Sequence, residues 1–301
     1  MAKFNLKIWL TAVRPFSFTA SIMPVILGGC LVWGYKQVFH WDLFLAFLFS
    51  ALFIHAGTNL FSDYYDFTRG VDKPGTFGSS GILTSGTLQP VQILNAARLM
   101  LVLGFVIGLF LVARLGWPIL VLGLIGMLGG YSYCGRMFGY KYLGLGEIFV
   151  FLFMGVLLFT GIYFVLTGAW TWDVVNASLP ISFLVAAILF ANNMRDIKTD
   201  KAIGVITLAG RLGFRRSKWL YLFFVVGAYA AVLFLIINKT FSLWSFLVLL
   251  TAPKALKNVV TVFECPANHV DTIAFMDQQT AQLHLNFGLF LSLSFILSRV
   301  L

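Results

Sequence analysis

Charge is what this sequence has least of: 11% of its 301 residues are Asp, Glu, Lys or Arg, against 60% hydrophobic residues. A water-soluble domain carries about 25% charged residues. So little polar side chain cannot coat a soluble surface, which excludes an ordinary soluble enzyme. Cysteine is scarce too. Cys30, Cys134 and Cys265 stand too far apart for a metal-ligand spacing or a disulfide framework. Acids number 11 against 21 Lys and Arg, a formal charge of +10. No basic run interleaves with aromatics in a polar context, so no nucleic-acid partner is expected. The basic excess suits loops beside anionic membrane lipid instead. The N-terminus lacks a cleavage pattern, because apolar sequence runs past Cys30, and the first apolar segment is expected to be retained as a span.

What the chain does have is long apolar stretches, each near the roughly 20 residues that a bilayer-spanning helix needs. Nine run approximately over 15–35, 42–61, 92–113, 117–134, 147–166, 178–194, 218–238, 241–260 and 282–299. Pro253, Lys254 and Lys257 interrupt the end of the eighth. No polar linker is long enough to hold a second domain. The expected fold is an all-α, polytopic membrane protein of about nine transmembrane helices, with residues 1–301 as a single domain.

Placing alternate loops on alternate sides sorts the charges. Fourteen of the 21 Lys and Arg fall on the side of the N-terminus and of the loops after spans 2, 4, 6 and 8. The positive-inside rule puts that side in the cytoplasm. Nine of the 11 acids share it, with only Asp42 and Asp173 opposite. No insertion rule requires acids there, so their gathering suggests a built site.

Two segments carry the candidate chemistry. Asn59-Leu60-Phe61-Ser62-Asp63-Tyr64-Tyr65-Asp66 closes span 2, and Asn192-Asn193-Met194-Arg195-Asp196-Ile197-Lys198-Thr199-Asp200 closes span 6. Each repeats Asn-x-x-x-Asp, which places the pair one turn apart on a single helix face, with a further Asp on roughly the same face. Four spans separate the motifs, so both end on one side of the membrane. Carboxylates beside lipid are costly unless something positive neutralises them. Mg²⁺ suits them, since it takes oxygen ligands and commonly bridges carboxylates to a substrate phosphate. Arg136, Lys141, Arg195, Lys198 and Lys201 are available to diphosphate oxygens. The alternative is a set of helix-end charges balanced by neighbouring Lys and Arg. His55 and His284 read as buried histidines bonded to neighbouring helices. Glu147 is equally a site acid or a charge at a helix start. Tyr131, Tyr133 and some Phe side chains can shape a prenyl tunnel or face a cation, while Gly126, Gly129 and Gly130 fit close helix packing.

With these residues in view, the chain resembles the UbiA superfamily of membrane prenyltransferases. Within it, it is similar to the 1,4-dihydroxy-2-naphthoate prenyltransferase (MenA) branch of menaquinone synthesis. The likeness covers nearly the full length. It rests on Arg14-Pro15 through Gly28, on Asn59 to Asp66 with Gly70 and Asp72, and on Tyr131-Ser132-Tyr133 with Gly139-Tyr140-Lys141 and Gly144 to Glu147. It rests further on Asn192 to Asp200 with Gly204, Thr207-Leu208 and Arg211-Leu212-Gly213, and on Thr280-Ala281. The resemblance implies nine helices around a lipid-open cavity in the plasma (inner) membrane. It implies Mg²⁺-dependent transfer of a polyprenyl group from polyprenyl diphosphate to an aromatic acceptor, with loss of the ring carboxylate when that acceptor is dihydroxynaphthoate. By the same likeness Asp63, Asp66, Asp196 and Asp200 would hold the metal and diphosphate. Asn59 and Asn192 would line the site, with Arg136, Lys141, Arg195 and Lys201 contacting phosphate or acceptor. Relatives commonly carry Asn directly before the first Asp, where this chain has Ser62. Either Asn59 takes that role, or the acceptor is another aromatic quinone precursor. A secondary transporter is the contrasting class, but transporters place intramembrane acids near the midplane rather than at helix ends.

Overall fold

The computed structural model describes residues 5–35, 39–74, 79–135, 138–267 and 270–300. Among these residues nine helices are long and apolar enough to cross a membrane: α1 (Pro15–Gly34), α2 (Trp41–Thr68), α3 (Pro90–Leu115), α4 (Trp117–Cys134), α5 (Gly146–Thr167), α6 (Trp172–Arg195), α7 (Phe214–Ile237), α8 (Leu243–Glu264) and α9 (Asp271–Val300). The described residues contain no β-strand, only an isolated bridge between Leu143 and Ile206. The protein is an all-α, multi-pass membrane protein.

Three helices outrun their apolar stretches, for local reasons. Hydropathy falls where Ser62, Asp63 and Tyr64 enter, yet α2 continues in regular helix to Thr68 because other segments neutralise its acids. Gln278, Gln279 and Gln282 dilute the apolar signal of α9 without breaking it, and regular helix begins at Met276. α6 starts at Trp172, where the Thr171 side chain caps the first turn.

α6 is the most enclosed span. Its Ile181, Leu184 and Phe190 pack with Met23 and Leu27 of α1, Tyr221 of α7 and Phe287 of α9. A second cluster joins the N-terminal helix Leu6–Val13 and the segment around Ile82 and Leu83 to the ends of α2, α3 and α4. α5 and α6 touch backbone to backbone. A Cβ added at Gly155 would fall 2.6 Å from the Ser182 Cα, inside a π-helical stretch over Phe151–Leu157. Gly129 and Gly130 are close-packed against Phe153 and Thr58, as expected, but Gly126 has open space beside it. That space belongs to an apolar cavity of about 90 Å³ between α2, α3, α4 and α5. The Thr58–Gly130 approach lies between this cavity and the acidic end of α2.

The loops after even-numbered spans gather on one face. Arg69 donates to the Gly135 carbonyl at 3.3 Å, and Leu143 pairs with Ile206. Lys218 donates to the Cys265 carbonyl at 2.7 Å. The site is built on this face.

Candidate active site

Pro15 disfavours helical backbone in the residue before it. The N-terminal helix therefore ends at Val13, and Arg14 turns into the left-handed region at φ 55°. That turn throws its guanidinium back onto α2, where it meets the Asp63 carboxylate at 2.8 Å and the Asn59 carbonyl at 3.3 Å. Burial opposes the Arg14 charge, but Asp63 and Asp66 outweigh it and raise its pKa. The other Asp63 oxygen accepts from the Ser80 hydroxyl and, at 3.3 Å, from its backbone N–H. Asn59 does not stand open to a ligand as expected. Its amide donates to the Val13 carbonyl at 2.9 Å and to the Ser17 hydroxyl at 3.0 Å, holding the Arg-Pro turn in place.

Asp66 lies one turn deeper into the face and is 4% exposed. It accepts from Lys141 at 2.5 Å, from the Tyr142 hydroxyl at 2.5 Å and from Ser62 at 3.1 Å. Ser62, the departure from the family pattern, thus serves Asp66. Lys141 and Tyr142 reach α2 on a loop that turns at Gly139 and Gly144, both at positive φ. The loop is anchored where the Tyr140 hydroxyl donates to the Gly129 carbonyl at 2.9 Å. Burial works against the Lys141 ammonium, yet Asp66 holds its pKa well above the ordinary lysine value. Tyr133 offers its ring 5.8 Å from the Lys141 Nζ, and Tyr131 packs edge-on to Phe61 with its hydroxyl 3.4 Å from that of Tyr65. Arg136 lies outside the described residues.

The second motif is built differently. The sequence placed it on one helix face, but α6 stops at Arg195, Asp196 forms the cap, and a short helix Ile197–Ala202 follows. Arg195 grips Asp196 through two N–H···O bonds of 2.8 and 2.7 Å. Asn192 accepts from the same guanidinium at 2.7 Å. Asn193 donates to the Glu147 carboxylate at 2.9 Å, and the other Glu147 oxygen is buried with no partner among the described residues. Lys198 and Lys201 are exposed. His55 and His284 are both buried, His55 on Ser21 at 2.7 Å and His284 on Thr19 at 3.0 Å.

The motifs share one electrostatic neighbourhood. Burial and then the negative charges of Asp196 and Asp66 push the Asp200 carboxyl up to about 7, with Lys141 and Arg195 pulling the other way. Asp72 is likewise pushed up to about 7, by burial first and then by Asp66 and Asp63, against the pull of Lys141 and Arg14. Lys141, ion-paired with Asp66, thus also acts electrostatically on Asp200. Among the described residues no three His, Cys, Asp or Glu side chains form a ready metal-ligand group. Asp63 and Asp66 are turned onto Arg14 and Lys141, and Asp196 onto Arg195. The donor set nevertheless fits Mg²⁺. It offers carboxylate oxygen without thiolate, and the upward push on Asp72 and Asp200 by burial and by neighbouring carboxylates is one that a divalent cation would relieve.

Known proteins share this architecture and these segments. The model of the UbiA prenyltransferase family matches residues 21–286. The chain belongs to that family. UbiA proteins of this kind are aromatic prenyltransferases, and this chain is one. It is 35% identical over 287 residues to the 1,4-dihydroxy-2-naphthoate octaprenyltransferase of Bacillus subtilis (strain 168), covering 95% of this chain and 91% of that relative. In fold it resembles the apo UbiA homolog from Aeropyrum pernix K1, with a TM-score of 0.70 at 16% identity over 95% of this chain and 98% of that one. It also resembles the UbiA homolog from Archaeoglobus fulgidus bound to GPP and Mg²⁺, with a TM-score of 0.59 at 16% identity over 94% and 99% of the two chains.

Arg14, Ser80, Tyr142 and Asp277 contact the acidic motifs without having been expected to. Arg14 was visible in the sequence only as part of the Arg-Pro segment. The others carry no local signal, because their partners lie far away in the chain.

Proposed function

We propose that the protein transfers a polyprenyl chain from its diphosphate to 1,4-dihydroxy-2-naphthoate, with Mg²⁺, in menaquinone biosynthesis. The observation that carries this is the Lys141–Asp66 ion pair at the end of α2, together with the electrostatic influence that Lys141 and Asp66 exert on Asp200 of the second motif. It is supported by the acceptor and octaprenyl donor named for the Bacillus subtilis relative, and by the GPP and Mg²⁺ bound to the Archaeoglobus fulgidus homolog. In the reaction the bond from the prenyl carbon to the diphosphate oxygen breaks and a bond to the ring carbon forms. The ring carboxylate leaves as CO₂ and pyrophosphate departs.

Asp63, Asp66, Asp196 and Asp200 would hold Mg²⁺ with the diphosphate, where the metal supplies charge against the departing pyrophosphate. Lys141, already beside Asp66, donates to phosphate oxygens as a compact point charge. Lys198 and Lys201, exposed on the same face, attract the anionic donor. Tyr133, whose ring lies 5.8 Å from the Lys141 Nζ, offers a π face that favours developing positive charge on the allylic carbon, and Tyr131 extends the aromatic lining beside Phe61 and Tyr65. Among the described residues the Asn192 amide N–H groups meet only Asn193, at 3.5 Å, and they are offered to acceptor or phosphate. We assign residues 1–301 to one domain in the plasma (inner) membrane, with the N-terminus and the acidic loops cytoplasmic. The clustering of Lys and Arg on that face supports the orientation.

Purified protein in detergent, given Mg²⁺, a polyprenyl diphosphate and dihydroxynaphthoate, is expected to form the prenylated, decarboxylated product. Asp63→Asn and Asp196→Asn are expected to abolish it, with retained fold checked by melting temperature. Turnover persisting in both variants rejects the site. Turnover only with a different aromatic acid rejects the acceptor and keeps the reaction. Ser62 favours running that acceptor panel, since its hydroxyl is spent on Asp66 and no amide stands in its place.

A further inference from the structure

Arg195 was expected to contact phosphate or acceptor, but every guanidinium N–H is already committed. A guanidinium has five N–H donors in one plane. Nε and one terminal nitrogen fork onto Asp196 at 2.8 and 2.7 Å, and that terminal nitrogen also reaches Asn192 Oδ1 at 2.7 Å. The other terminal nitrogen donates to the Ala274 carbonyl at 2.9 Å and meets Asp277 Oδ2 at 3.2 Å. The Arg195 side chain is 3% exposed. A diphosphate oxygen can gain an N–H here only by displacing one of these partners.

The geometry points to Asp277 as a positioning residue for the second acidic motif. From the first turn of α9 it fixes the Arg195 guanidinium as a platform that orients Asp196 and Asn192, and it takes up part of the guanidinium charge. Two carboxylates flank one guanidinium, so the cluster keeps a net negative charge. Asp196 is left with capacity for a second cation. Without the Asp277 charge, Arg195 neutralises Asp196 alone, and its freed N–H competes for the oxygens that a metal–diphosphate needs. The inference rests on the metal–diphosphate reading of the site. It goes beyond it by giving Arg195 and α9 a scaffolding role and removing Arg195 from the phosphate ligands.

Asp277 also accepts from the backbone N–H of Gln278 at 2.9 Å, a purely structural contact at the start of the helix. Asp277→Asn separates the two roles, because asparagine keeps an oxygen for Gln278 and loses the charge that Arg195 needs. The experiment measures binding of a non-reactive thiolo analogue of geranyl diphosphate to the detergent-solubilised full chain across a Mg²⁺ titration, alongside the melting temperature. Asp277→Asn is expected to raise the half-saturating Mg²⁺ about 10- to 100-fold, the usual cost of losing a group that orients a metal ligand. Asp277→Glu, which retains the charge, is expected to stay within about threefold of the native protein on the same scale. An unchanged Mg²⁺ dependence in Asp277→Asn overturns the inference, as does an equal loss in both variants. If Asp277→Asn does not fold, a Mg²⁺ requirement in Asp277→Glu raised as far as that predicted for Asn also overturns it. Native protein that binds the analogue without Mg²⁺ overturns the metal–diphosphate reading as well, so the two failures are told apart.

Discussion

The two acidic motifs look alike in sequence and are held in opposite ways. The first lies on unbroken helix, with Asp63 and Asp66 at 3% and 4% exposure, and distant segments supply its cations: Arg14 from before α1 and Lys141 from the loop after α4. The second lies at a helix break. Asp196 is paired with its own neighbour, Arg195, and the Asp200 side chain has no hydrogen bond or ion pair among the described residues. The Asp63 and Asp66 carboxylates are each closed onto a cation from elsewhere in the chain, whereas Asp200 of the second motif has no such partner among the described residues. The difference teaches that a repeated Asn-x-x-x-Asp spacing places carboxylates without settling who neutralises them. That depends on which loops fold over each helix end.

If the two halves act as one site, combining their losses should add little. Asp66→Asn and Asp196→Asn are each expected to lower kcat/KM by about three orders of magnitude, and the double variant by little more, since groups acting as a unit are strongly non-additive. Losses that multiply in the double variant would show two independent sites.

The closed half should matter more to folding than the open half. Lys141→Met leaves the Asp66 carboxylate buried without its cation, and breaking a buried pair costs about 3 kcal/mol or more. Lys198→Met, on the exposed side of the second motif, is expected to change stability by less than about 0.5 kcal/mol. Chemical or thermal unfolding in detergent compares the pair, and equal destabilisation would erase the contrast.

The smallest effect concerns pH. Asp72 and Asp200 titrate near 7 in the folded protein, against an ordinary aspartate value of about 3.9. Between those values the folded chain holds protons that the unfolded chain has released. Their contribution to stability is therefore full below about pH 4 and is lost as pH rises through about 7. Without Mg²⁺ the melting temperature is expected to fall by several °C from about pH 5 to about pH 8. Asp200→Asn should flatten that slope, whereas Asp173→Asn, on the opposite face, should leave it intact.

Much of this was legible from residue order alone, within limits that have physical causes. Nine spans emerged because lipid demands apolar length. Their polar ends did not, and α2 and α9 ran on by several residues where acids and glutamines were stabilised by partners elsewhere. Asp63, Asp66, Asp196 and Asp200 could be picked out because local spacing repeats. The partners of Arg195 were not legible, because Asp277 and Ala274 lie about eighty positions later in the chain. Nor was it legible that the Arg-Pro turn takes the Asn59 amide N–H groups.

The sequence by itself determined a membrane solvent, the number of long apolar helices and the positions of the acidic segments. Each of these follows from hydropathy, charge count or helical period, which are properties of neighbouring residues. Only the tertiary structure decided which cation meets which carboxylate, that Ser62 serves Asp66, and that Arg195 is fully engaged. Those outcomes require groups tens to hundreds of positions apart to come within about 3 Å, the range in which hydrogen bonds and ion pairs form.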